Sequence, residues 1–171
     1  MANYHSPTVI QQPIPVTDVT ILERLILGQI FDMTDDGETI SLTSWEGACP
    51  IVTLNAVELV DALAEPACHD TTAQRHVHEQ LGTDRRLFGE IDLDCSDDCW
   101  LAMLQDVVRR SSLLDHLTVV SSWTCDKMRP DGFGGAVELI TATGIRSANT
   151  QAMIECFIAE AVEEGEMQAL T

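Results

Sequence analysis

Nitrogen and sulfur ligands gather in two stretches of the sequence. Cys68-His69 precedes His76-Val77-His78, and Cys95-x-x-x-Cys99 follows. Structural zinc takes four such donors, usually from Cys-x2–4-Cys knuckles. Cys95 and Cys99 straddle a predicted helix start, which lets their sulfurs converge. His76 and His78 diverge on a helix and align only on a strand. No pair of knuckles is present, so the sequence predicts no metal and no cofactor. Cys68, His69, His76, His78, Cys95 and Cys99 form the residue set of an alternative reading, a small zinc- or thiol-dependent enzyme.

A nucleophilic cysteine needs an electropositive pocket to hold its thiolate. Cys95 instead lies among Asp92, Asp94, Asp97 and Asp98, which oppose the thiolate although a helix N-terminus favours it. Cys125 is nearer to Lys127 and Arg129. Structural thiols are the expectation for both. The run Gly132-Phe133-Gly134-Gly135 has glycines suited to cradling phosphate, but such loops join a strand to a helix, and no Gly-Lys-Ser/Thr follows. A hairpin connection is predicted, with Lys127, Arg129 and Phe133 as an exposed contact loop. Glu90, Asp92 and Asp94 alternate as on a strand, and no EF-hand pattern surrounds them. A solvated strand face is predicted there.

The acidic residues form a larger pattern. The chain of 171 residues carries 28 Asp+Glu against 9 Lys+Arg, a formal charge of −19. Glu58, Asp61 and Glu65 repeat at i, i+3, i+7 on one helix face. Neighbours at that spacing stand roughly 5–6 Å apart, near the phosphate separation of a nucleic-acid strand. Asp92, Asp94, Asp97 and Asp98 form a second stretch, and Glu160, Glu163 and Glu164 a third, with no Lys or Arg among them. Like charges this dense oppose folding through self-repulsion. The blander account is a solubilising surface; the functional one is a negative face offered to a basic cleft.

These residues need elements to position them. Residues 1–16, with Pro7, Pro13 and Pro15, read as a flexible arm that orders only by docking. Residues 17–171 read as one α+β domain. A helix is predicted over 19–31, with Thr20 and Glu23 at capping-box spacing. A turn at Asp35-Asp36-Gly37 leads to strands at 39–45 and 51–54, and Asn55 caps a second helix that Pro66 ends. A short helix spans 72–81, closed by Gly82, and a strand spans 87–93. Ser96 caps a long helix with Asp97 and Asp98 in its first turn. Strands follow at 117–125 and 136–143. A helix capped by Asn149 then carries Met153, Ile154, Phe157, Ile158, Ala161 and Val162 at amphipathic spacing. The expected fold is a mainly antiparallel sheet of about five strands flanked by about four helices. The α-β-β-α order recurs at 19–65 and 97–164, which raises an internal duplication.

Charge and hydropathy exclude several classes. Lys127 is the single lysine, and no Lys or Arg lies between Arg24 and Arg75. Direct nucleic-acid binding requires a clustered basic footprint, and an anionic membrane surface would repel this chain. No apolar run reaches the length of a membrane span. The start, Met1–His5, lacks the basic and apolar regions of a secretion leader, so the cytoplasm is the expected location and the cysteines are expected as reduced thiols.

The segment Trp123-Thr124-Cys125-Asp126-Lys127-Met128-Arg129-Pro130-Asp131-Gly132-Phe133-Gly134-Gly135 resembles a group of small proteins carried on bacterial mobile elements. The resemblance covers the C-terminal third and rests on that one motif. It implies a plasmid- or phage-like context and carries over no catalytic residue. The leading expectation is a non-enzymatic protein that binds a basic, nucleic-acid-binding protein or complex, as a nucleic-acid mimic inhibiting a CRISPR or restriction system. Its contacts would be Glu58, Asp61, Glu65, Asp92, Asp94, Asp97 and Asp98, with Glu160, Glu163 and Glu164 as a second patch. A subunit that forms a homodimer is the third reading.

Overall fold

Alternation in the N-terminal segment decides much of the architecture. Thr8 and Ile10 are buried while Val9 between them is exposed. That period of two marks a strand with one face on a core. In the computed structural model, which describes residues 3–82 and 87–167, this segment supplies β1 (Tyr4–His5), β2 (Thr8–Ile10) and β3 (Ile14–Pro15). The loose arm expected for residues 1–16 is therefore corrected over its described part. The prolines fall at the breaks and ends of three very short strands, where a missing N–H costs little. Pro7 even contributes to the ladder, its carbonyl accepting from the Ser122 N–H at 2.9 Å.

The remaining elements are α1 (Ile21–Ile30), β4 (Asp32–Asp35), β5 (Thr39–Ser44), β6 (Ile51–Asn55), α2 (Ala56–Ala64), α3 (Thr72–Leu81), β7 (Glu90–Asp94), α4 (Cys99–Arg110), β8 (His116–Cys125), β9 (Gly134–Thr141), β10 (Gly144–Asn149) and α5 (Thr150–Glu163). The main sheet has eight strands in the order β10-β9-β8-β2-β5-β3, with β1 beside β8 and β4 beside β5. Strands β6 and β7 form a separate pair. All pairings are antiparallel. The α+β class holds, but the sheet is larger than the five strands expected.

Two of the added strands replace predicted turns or loops. Strand β4 pairs with β5 across the Asp35-Asp36-Gly37 turn. Strand β10 occupies much of the stretch read as a polar connection, pairing Gly144–Asn149 with β9. Both halves of the chain thus run α-β-β-β-α, from α1 to α2 and from α4 to α5. Their pairing differs: β8, β9 and β10 form one meander, whereas β6 leaves the main sheet to pair with β7.

Local chemistry fixes the helices. Thr20 and Glu23 form the predicted capping box at α1: the Glu23 N–H donates to Thr20 Oγ1 at 3.2 Å, and the Thr20 N–H donates to Glu23 Oε2 at 2.9 Å. Helix α3 has the predicted bounds, and Gly82 ends it at a positive φ of 75°. The start of α4 is corrected. Ser96 is not its cap, and Asp97 and Asp98 precede it; Asp98 takes a left-handed conformation, φ 56°. The Cys95 N–H is tied to the Pro50 carbonyl at 2.7 Å, so the chain turns through 96–98 before the helix begins.

The core lies between the helices and one face of the main sheet. Leu22, Ile26, Leu27 and Ile30 of α1 and Trp100, Met103, Leu104 and Val107 of α4 meet Ile10, Ile14, Ile40, Leu42, Leu117, Val119 and Ile140. Phe31 packs edge-to-face on Trp100, ring centres 5.1 Å apart. Each fully buried aliphatic side chain contributes about 1.5–3 kcal/mol relative to exposure. Glu23 is buried too, held by its cap and by Arg110 of α4. On the opposite face of the sheet, Val9, Val120 and Val137 stand in register across three strands, with Val9 and Val137 exposed.

Candidate partner-binding surface

Helix α5 is the least buried regular element described. The Asn149 side chain caps it by accepting from the Ala152 N–H at 2.8 Å. Its predicted apolar stripe is present, yet none of its residues is buried. Met153 is 49% exposed, Ile154 50%, Phe157 58% and Ile158 38%. The helix rests chiefly on β10 and on β9, a strand whose Val137 and Leu139 are exposed. An exposed apolar stripe of this kind marks an interaction surface more often than a monomer's exterior.

Charge frames this stripe. Glu155, Glu160, Glu163 and Glu164 lie on or at the end of α5, and no Lys, Arg or His follows Arg146. Glu155 accepts from Gln151 Nε2 at 2.9 Å. Cys156 donates to Glu160 at 3.5 Å, and that carboxylate pushes the thiol pKa up, away from nucleophilic character.

The other predicted acids divide by location. Glu58 and Asp61 are exposed on α2 and Glu65 is exposed just past its end, and Glu58 borders a shallow cleft with Ile21, Arg24 and Met33. Asp92 and Asp94 lie on the open face of β7, opposite Thr53 and Ile51. Several of these have local partners. Asp92 accepts from Thr53 Oγ1 at 2.8 Å. Asp94 accepts from the Ser96 N–H at 2.9 Å, and its bonds to Ser96 hold its pKa below the ordinary aspartate value. Asp97 accepts from the Cys99 N–H at 3.2 Å, and Asp98 from the Trp100 indole at 3.3 Å. The β7–α4 acids thus shape a connection, while the α5 acids flank an open apolar stripe.

Lys127 and Arg129 are exposed in the β8–β9 connection, with Phe133 beside them. The glycines there serve packing. A Cβ on Gly134 would meet Trp123 Nε1 at 2.2 Å, and one on Gly132 would meet Cys125 Cβ at 2.4 Å. Gly134 and Trp123 are register partners, so the indole occupies the space that a side chain would need.

Of the six nitrogen and sulfur residues, three come together. His76, Cys95 and Cys99 place their ligating atoms within 4.8 Å of one another. Cys68 is buried in a 3-10 turn, His69 is exposed, and His78 points away from His76 on α3; none joins the group. Within it, Cys99 and Cys95 are coupled: their hydrogen bond lowers the Cys95 pKa and raises that of Cys99. Cys99 also raises the His76 pKa. The sequence flagged all three residues, but their meeting depends on α3, β7 and α4 packing together.

No helix among the described residues is long and apolar enough to cross a membrane. The chain matches no protein-family model, no curated protein and no solved structure.

Proposed function

We propose that the chain is a non-enzymatic interaction protein that binds the basic, nucleic-acid-binding surface of another protein or complex. The observation that carries this reading is α5, an exposed apolar helix bordered by Glu155, Glu160, Glu163 and Glu164, with no cation after Arg146. A partner suited to it carries apolar side chains among lysines and arginines. Apolar contact supplies affinity, while the −19 charge speeds encounter and rejects acidic competitors. In this reading Glu58 and Asp61 on α2, with Glu65 at its end, extend the negative field, and imitation of a nucleic-acid backbone is its finer form. Inhibition of a CRISPR or restriction complex in the cytoplasm is the most concrete target class.

The test is capture from a bacterial lysate at low salt, using the unaltered chain and a Phe157→Asp variant in parallel. A nucleic-acid-binding protein held by the first, lost from the second and displaced by added DNA supports the reading. A captured protein that survives about 1 M salt and excess DNA overturns electrostatic mimicry. The same apolar helix favours a second reading, a homodimer through α5. Light scattering separates the two, because a dimer doubles the 18.8 kDa chain mass.

A further inference from the structure

We infer that His76, Cys95 and Cys99 form a site for a thiophilic divalent metal ion, zinc foremost, with three protein ligands and a fourth position open to solvent. This goes beyond the interaction reading and does not depend on α5.

Three elements deliver the ligands. His76 lies on α3, Cys95 follows β7, and Cys99 opens α4. All three side chains are buried. Their donor atoms lie within 4.8 Å of one another, and His76 Nε2 stands 3.9 Å from Cys95 Sγ. Around a tetrahedral zinc ion, bond lengths of 2.0–2.3 Å place neighbouring donors about 3.5–3.8 Å apart. Closing the group therefore takes side-chain shifts of about 1 Å or less. Two sulfurs and an imidazole are soft donors, which select zinc over magnesium or calcium.

The surroundings hold these ligands in place. The Cys95 N–H is bonded to the Pro50 carbonyl and the Cys99 N–H to Asp97. Gln80 pairs with the Asp94 backbone twice, donating to its carbonyl at 2.7 Å and accepting from its N–H at 2.8 Å. The same amide nitrogen stands 2.8 Å from His76 Nε2. His76 Nε2 itself lies 2.9 Å from the Asp94 carbonyl oxygen, which only accepts, so Nε2 carries the ring proton and donates it there. A metal bound at Nε2 takes that proton's place, and the proton moves to Nδ1. Such outer contacts orient a metal-binding histidine.

Access and charge agree with this assignment. A cleft of about 410 Å³ is lined by His76, Cys99, Asp97, Asp98 and Arg75, and it leads from solvent to the group. A water completes the coordination from that side. On binding, each coordinating thiol releases its proton to solvent, so the two thiolates alone neutralise the divalent charge, and the nearby Asp97 and Asp98 add a negative field that favours a cation.

The experiment uses the full chain, free of any histidine tag. After dialysis against zinc and removal of excess, one zinc per chain is expected. Cobalt(II) in its place should give thiolate-to-metal charge transfer and the visible bands of a tetrahedral ion. Cys95→Ser and Cys99→Ser should each weaken zinc binding by about 100-fold or more, since even outer-shell partners are worth 10- to 100-fold. His76→Gln should keep the charge-transfer band and shift the visible ones. Cys68→Ser and Cys125→Ser, which alter buried thiols outside the group, should change neither band. Sub-stoichiometric zinc in the unaltered chain, together with no cobalt–thiolate band, overturns the proposal. So does a band that survives both Cys95→Ser and Cys99→Ser.

Discussion

Helices α2 and α5 each leave the end of a strand through an asparagine cap. Asn55 accepts from the Val57 and Glu58 N–H groups, and Asn149 from that of Ala152. Both helices are apolar on one side and acidic elsewhere. Yet α2 buries Ala56, Leu59 and Ala62, whereas α5 buries nothing. The capping chemistry is the same, so the difference arises one level up. Strand β6 pairs with β7 and turns α2 towards α1, while β10 stays at the end of its meander and leaves α5 beside β9. Local sequence decides that a helix forms; the route of the preceding strand decides whether its apolar side finds a core.

The largest test of this contrast is truncation on the two helices. Leu59→Ala should cost about 2–5 kcal/mol in denaturant unfolding, as a cavity in a packed core does. Phe157→Ala should cost under about 0.5 kcal/mol in the same assay, because its ring is already in water. A comparable loss at both positions would erase the distinction between them.

Next in size is Glu23→Ala, expected to cost about 2–4 kcal/mol. It removes a capping contact and leaves Arg110 without its buried partner. Burial raises the Glu23 pKa. Its ionisation therefore opposes folding as pH rises through the folded value, so its own contribution to stability is greater on the acid side.

A smaller effect is expected on association. Replacing Glu160, Glu163 and Glu164 by Gln should slow partner capture about tenfold and flatten its salt dependence, with stability unchanged. Association rates measured across a salt series check this. Asn55→Ala and Asn149→Ala should each cost their helix about 1 kcal/mol. Hydrogen exchange should show the first as lost global protection and the second as fraying confined to α5.

The smallest change concerns the Asp36 turn. The N–H groups of Thr39 and Glu38 hold the Asp36 pKa below its ordinary value. The stability this gives is present above the unfolded value and is lost as pH falls through the folded one. Asp36→Asn should lower Tm at neutral pH and converge with the unaltered chain in acid, as read from thermal melts.

Much of the helical layer was legible in the sequence because its signals are local. Thr20 with Glu23, Asn55, Asn149 and Gly82 each act within a few residues of themselves. The strands were harder. Pro7, Pro13 and Pro15 argue against pairing only where a ladder needs their N–H groups, and that depends on β5 and β8 far along the chain. Asp97 and Asp98 read as first-turn residues because their spacing fits, but the tie from Cys95 to Pro50 moves the helix start beyond them. In the candidate surface, the α5 stripe was visible while its exposure was not. The meeting of His76 with Cys95 and Cys99 likewise depends on tertiary packing that spacing alone does not encode.

Strand β2 places Thr8 opposite Ser121 and, on its other edge, opposite Ser44. A segment made well before β8 therefore sits mid-sheet and waits for a neighbour translated more than a hundred residues later. Contacts so distant along the chain slow folding. Until β8 emerges from the ribosome, β2 offers an open edge to any passing strand, which makes the nascent chain the state most exposed to mispairing.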